Sequence, residues 1–153
     1  MKKIPIVCMI VLICLTVGFI FSKSLPDQET SQSESDRVGE TIVKPVLSPV
    51  IGKENVTGHL VRKLAHFSEF FTLGAEVSVL LWLLRKKNAQ AYINVFAFGS
   101  AVALCDETIQ IFTKRGSQVQ DVWLDIGGVA CGIAVVLCIR ILVFILMKRK
   151  AAS

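Results

Sequence analysis

Apolar residues dominate four stretches of the chain, and the polar residues are distributed around and, less expectedly, within them. The stretches cover residues 4–22, 64–84, 91–112 and 122–147. Each approaches or exceeds the roughly 20 residues that a helix needs to cross about 30 Å of hydrocarbon. The pattern predicts an all-α membrane protein with four transmembrane helices in a small bundle. Residues 1–22 are read as the first transmembrane helix, 23–58 as an extracytoplasmic loop, 59–147 as a core of three further spans, and 148–153 as a basic cytoplasmic tail. The first stretch follows Lys2 and Lys3, as a signal-peptide core would. It is longer than such a core, and only Ser22 and Ser24 offer small-residue cleavage positions, so it is read as an uncleaved helix. Bulky Ile13 before Cys14 fits lipoprotein attachment poorly.

The connection "SKSLPDQETSQSESDRVGETIVKPVLSPVIGKENVTGH" is rich in Ser, Glu and Gln and reads mostly as a solvated outer loop. Within it, residues 38–50 are apolar enough to lie at the membrane surface as a short helix or turn. A hydrophobic content of 53% places the whole chain with membrane proteins rather than soluble domains. The net charge of +5 would suit nucleic acid, but the placement of the charges argues against it. Lys2 and Lys3, then Arg85, Lys86 and Lys87, then Lys148, Arg149 and Lys150 alternate with the spans as the positive-inside rule requires. The expected setting is the cytoplasmic membrane, with both termini and the turn at 85–88 in the cytoplasm and the turn at 113–121 outside. Cys8, Cys14, Cys105, Cys131 and Cys138 all fall inside spans. They suggest neither a disulfide framework nor a thiolate metal site, and are read as small packing residues.

Several ionisable residues lie inside the spans. On the second, His66, Glu69, Leu73 and Glu76 advance by three or four residues and share a helix face, with Arg62 one turn above. On the third, Asp106 and Gln110 share a face with Glu107 beside them, and on the fourth Asp121, Asp125, Gly128 and Gly132 do the same. At 1.5 Å per residue, His66, Glu69, Asp106, Glu107 and Asp125 come to about 5 to 10 Å below the outer surface. A carboxylate facing lipid at the centre of a span costs on the order of 2.5 to 3.5 kcal/mol, so these residues are expected to face one another. Arg62, Lys63, His66, Lys114 and Arg115 are the cations available to pair with them. A structural clasp would need only two or three such partners; the larger set, open toward one solvent face, points to a ligand site.

Other polar residues have simpler readings. Glu76, near mid-membrane, is expected either to be protonated or to bond Asn94 or Ser100 on a neighbouring helix. Arg140 is expected to snorkel to the cytoplasmic interface. Trp82, Tyr92 and Trp123 are expected near the interfaces. Gly128 and Gly132 form a Gly-x-x-x-Gly pattern that permits close helix contact.

The segments "RKLAHFSEFFTLG", "DETIQIF" and "SQVQDVWLDIGGVACG", linked by an Arg-Gly turn, resemble the VanZ-like family of small bacterial membrane proteins. As a linked set these motifs are specific, and they run from Arg62 to Gly132. The resemblance marks Arg62, Lys63, His66, Glu69, Asp106, Glu107, Gln110, Arg115, Asp121, Asp125 and Gly128. The chain departs from the family in its turn, where Thr113-Lys114-Arg115-Gly116 stands in place of the common Pro-Gly-Arg, and in Ile109, where many members have His. The resemblance implies an envelope role, because the name-giving member is associated with reduced susceptibility to the glycopeptide teicoplanin. It implies no reaction.

Three functions fit these residues. In the first, Arg62, Lys63, His66, Glu69, Asp106, Glu107, Gln110, Arg115, Asp121 and Asp125 bind a cell-wall precursor, a phospholipid headgroup or a glycopeptide at the outer face. In the second, the chain is a membrane-embedded enzyme with His66, Glu69, Asp106 and Glu107 as candidate catalytic residues, working as an acid–base set or, with Asp125, around a divalent metal. The sequence contains neither a nucleophile elbow nor a His-Glu-x-x-His helix, and it identifies no cofactor. The third is a small transporter or assembly partner, with Glu76 as its one specific hint.

Overall fold

The computed structural model describes residues 3–26, 28–113 and 118–151. The described residues form helices and turns, with no strand among them. In chain order the helices are α1 (Ile4–Ser24), α2 (Gln28–Val38), α3 (Lys44–Ile51), α4 (Gly58–Leu83), α5 (Ala89–Phe112) and α6 (Val119–Lys150). Among the described residues, α1, α4, α5 and α6 are long and apolar enough to cross a membrane, so the four expected spans are present. They alternate in direction. The start of α1, the α4–α5 turn and the basic end of α6 gather at one end of the bundle, and the polar residues gather at the other.

The helix boundaries have local causes. α4 begins at Gly58, ahead of its apolar stretch, because the side chain of Thr57 caps the helix by accepting a 3.2 Å hydrogen bond from the Leu60 amide. Its far end closes where Arg85 takes the left-handed backbone conformation, at φ 58°. Arg140 does more there than reach toward water. Its Nη1 donates to the Lys86 carbonyl and to the Tyr92 hydroxyl, both at 2.8 Å, tying α6 to the α4–α5 turn.

The first connection departs from expectation. It is largely helical, not irregular: α2 runs through a π-helical turn at Gly39–Val43 into α3. α2 has no apolar stripe that would reveal it in the sequence. It is held by polar contacts instead, among them Gln32 Nε2 to Asp36 Oδ1 at 2.9 Å within the helix and Lys23 Nζ to Glu34 Oε2 at 3.0 Å from the end of α1. Ser31 is 5% exposed, beneath a helix that packs on α4. α3 is the short helix expected within residues 38–50, and it ends at Gly52, whose φ of 86° favours glycine.

α4 and α6 share the most extensive interface in the bundle. Glycines make it possible. A Cβ on Gly128 would stand 2.6 Å from the Phe67 carbonyl oxygen, and one on Gly132 would collide with the Phe71 carbonyl. Gly74 lies in the same way against the backbone of Val129. The two backbones therefore touch where lipid supplies no hydrophobic push, and van der Waals packing provides the attraction. Phe70, Leu73, Ala103 and Val129 are fully buried around this contact. The cysteines are not part of it: all five are free and exposed on the outer surface of the bundle, in place of the packing positions expected for them.

Gly132→Ala is expected to destabilise the bundle by about 1–3 kcal/mol, the usual cost of overpacking. Gly127, with nothing within 4 Å of its Cβ position, is the control, and Gly127→Ala should leave stability unchanged or slightly raised. Thermal unfolding of the two variants in detergent checks the pair.

Candidate functional site

The polar end of the bundle is built from four helices. α4 presents Arg62, Lys63, His66 and Glu69, α5 presents Asp106, Glu107 and Gln110, and α6 presents Asp121 and Asp125. Asp106 and Asp125 are fully buried, Glu107 and Gln110 are 4% and 5% exposed, and the His66 side chain is 12% exposed. The expectation that three spans turn their polar residues toward one another is therefore met.

α1 supplies the fourth wall, which was not anticipated. The hydroxyl of Ser24, itself fully buried, donates to Asp106 Oδ1 at 2.6 Å. Gln110 Nε2 donates to Asp106 Oδ2 at 2.8 Å and to Glu107 Oε1 at 3.0 Å. Thr113, at the end of α5, donates through its hydroxyl to the Ser24 carbonyl at 3.1 Å, so the ends of α1 and α5 are joined twice. The only sequence signal for this wall is a small polar residue at the C-terminal end of an apolar span, a feature that serves equally well as a cleavage site or a helix end.

His66 Nδ1 lies 3.8 Å from Asp106 Oδ2 and 3.9 Å from Asp125 Oδ1, within ion-pair range and beyond hydrogen-bond range. One donor atom from each of these three residues falls within 4.8 Å of the other two. An imidazole nitrogen with two carboxylate oxygens is a donor set able to hold a divalent metal. Asp125 stands out within it. Both its oxygens are buried, and neither has a hydrogen-bond partner among the described residues.

The remaining candidates divide between two cavities. One, of about 150 Å³, lies between the end of α1, α2 and α4, and its wall includes Lys23, Ser31, Arg62, His66 and Glu69. The other is narrower and is bounded by Arg62, Lys63, His66, Glu107, Gln110 and Asp121. Arg62 and His66 border both. Glu69 faces the wider cavity and is not in the His66, Asp106 and Asp125 group. Lys63 Nζ pairs with Asp121 Oδ1 at 3.4 Å near the rim, where both side chains are partly exposed. Lys2, Lys114 and Arg115 lie outside the described residues.

Glu76 sits deeper and is separate from this site. Its partner is neither Asn94 nor Ser100: Thr16 of α1 donates to Glu76 Oε1 at 3.0 Å. The Asn94 amide oxygen instead accepts from Gln90 at 2.9 Å.

A bundle of four apolar helices, each long enough to cross a membrane, with ionisable residues from several of them buried at one end, is that of a multi-pass membrane protein. The profile of the VanZ/LLP1 family matches residues 8–144, and the chain belongs to that VanZ-like family. Comparisons with curated proteins and with solved structures find no match.

The Ser24 to Asp106 hydrogen bond reaches a buried carboxylate, and Ser24→Ala is expected to cost about 1.5–3 kcal/mol. A double-mutant cycle of Ser24→Ala with Asp106→Asn, read by unfolding in detergent, should return a coupling above about 1 kcal/mol. Additive effects would mean that the two side chains do not interact.

Proposed function

We propose that this VanZ-like membrane protein binds the anionic headgroup of an envelope amphiphile at the polar end of its bundle, and that this end faces outward. The observation that carries the reading is the 150 Å³ cavity with Lys23, Arg62 and His66 in its wall, a volume suited to a phosphate, a carboxylate or part of a sugar. Ser31 and Ser35 add hydroxyls on the α2 side. A groove bordered by Leu15, Thr16, Phe19, Ser68, Glu69 and Thr72 adjoins the cavity through Glu69 and follows α1 and α4 along the lipid-facing surface. It fits the acyl or isoprenoid chain that a lipid-linked cell-wall precursor, a phospholipid or a lipid-bearing glycopeptide carries. The outward orientation is supported by Arg85, Lys86, Lys87 and the Lys148-Arg149-Lys150 end of α6, all at the opposite end. The association of the VanZ-like family with teicoplanin supports an envelope setting and the further reading that the chain lowers susceptibility to that antibiotic.

A second reading, an enzyme acting on the same class of amphiphile, is favoured by one observation: His66 Nδ1 lies between two buried carboxylates, where an imidazole could serve as a base. The two readings separate on one variant. For a binding protein, His66→Ala weakens the site less than loss of Arg62. For an enzyme, His66→Ala ends turnover while the ligand still binds.

Purified protein titrated with a short-chain polyprenyl phosphate is expected to bind it, and Arg62→Ala should raise Kd about tenfold or more, the worth of one charged hydrogen bond. Equal affinity in wild type and Arg62→Ala would remove the cavity from the reading. In a teicoplanin-sensitive Gram-positive host, wild type should raise the inhibitory concentration, and His66→Ala, Glu69→Gln and Asp106→Asn at matched membrane levels should not. Equal protection by all of them would detach that phenotype from the polar site. For orientation, a cysteine at Ser35 should react with a membrane-impermeant thiol reagent in intact cells, and one at Lys148 only after permeabilisation.

A further inference from the structure

We infer that His66, Asp106 and Asp125 bind a single divalent cation of the manganese or zinc type at the centre of the polar end. The inference goes beyond headgroup binding, which the Lys23 and Arg62 wall would support without any metal.

The argument starts from Asp125. Its side chain is fully buried, and both oxygens are without a hydrogen-bond partner among the described residues. A buried carboxylate in that condition is costly, and a protein normally meets the cost with hydrogen bonds, a counter-charge or a metal. Among the described residues, Lys63 pairs with Asp121, and one Arg62 guanidinium nitrogen lies 3.4 Å from His59 Nδ1. What Asp125 does face is His66 Nδ1 at 3.9 Å, with Asp106 Oδ2 a further 3.8 Å from that same nitrogen. Donor atoms sharing one ion at about 2.1 Å stand roughly 3 to 3.5 Å apart. On the His66 sides the set is open by about half an ångström, and the three donor atoms lie within 4.8 Å of one another, so side-chain rotation has to draw them in.

The surroundings fit as well. Asp106 is oriented on one oxygen by Ser24 at 2.6 Å and on the other by Gln110 at 2.8 Å, the kind of outer hydrogen bonding that holds ligating carboxylates in place. A dication would offset the charge of Asp106 and Asp125 together. One imidazole with two carboxylates and no thiolate favours manganese or zinc over calcium, magnesium or copper(I). His66 borders both cavities and Asp106 and Asp125 border neither, so the imidazole stands between the cavities and the buried carboxylates.

The test uses the full-length chain, stripped with a chelator and held in a neutral maltoside detergent so that no lipid phosphate competes. Titration with Mn²⁺ alone, followed by electron paramagnetic resonance, and with Zn²⁺ alone, followed by calorimetry, is expected to give about one equivalent bound. Asp125→Asn and His66→Gln should each weaken binding about tenfold or more, whereas Glu76→Gln, outside the donor set, should not. If Asp125→Asn fails to elute as a folded species, His66→Gln decides. Absence of binding by wild type up to millimolar metal, or equal binding by wild type and the folded donor variants, would overturn the inference. Amphiphile binding measured on chelator-treated protein is a separate arm, so a failure of the metal site leaves the headgroup reading standing and the converse also holds.

Discussion

The direct backbone contact between α4 and α6 is the constraint on which the polar end depends. Gly128 meets the Phe67 carbonyl, and both residues stand next to the chemistry: His66 precedes Phe67, and Asp125 lies three residues before Gly128. Because residues three apart lie on one helix face, the glycine contact carries Asp125 over His66. A larger residue at Gly128 would push the helices apart by the width of a side chain. The imidazole and the carboxylate would then part company. In a membrane, where burial of apolar surface does not drive helices together, such a contact is both the attraction and the ruler.

That geometry creates an electrostatic problem, which the rest of the polar end answers in stages. Asp121 and Lys63, near water, form a partly exposed pair whose energetic weight is small. Asp106 and Glu107, deeper, are bonded through Gln110, and Asp106 also through Ser24. Asp125, fully buried, is the residue that the hydrogen bonds among described residues do not reach. Asp106 and Asp125 are equally buried, yet the hydrogen bonds among described residues reach only Asp106.

The four spans were legible because each is a long apolar run, and the inward-facing level of His66, Asp106 and Asp125 followed from helical spacing and the cost of a charge in lipid. The parts that were hidden share a different cause. Ser24 is one small hydroxyl at the end of an apolar helix, and nothing in its neighbours says that it meets Asp106. α2 is polar throughout and pairs with polar surface, so no periodic stripe announces it. Thr16 reached Glu76 because α1 packs beside α4, a choice of neighbour that spacing within either helix does not encode. The cysteines misled for a related reason. In lipid an exposed position is as apolar as a buried one, and composition cannot separate the two.

The attachment of α1 has a mechanical side. Its described side-chain hydrogen bonds to the rest of the chain come from Thr16, Lys23 and Ser24, all in the half nearer the polar end. The other half, from Ile4 onward, is held by packing alone among the described residues, with Ile4, Val7 and Val11 exposed along it. α4, α5 and α6, by contrast, are pinned at the opposite, basic end as well by Arg140. The first helix is thus stitched to the bundle by hydrogen bonds toward the polar end and laid against it by packing elsewhere, through Met9 and Ile13.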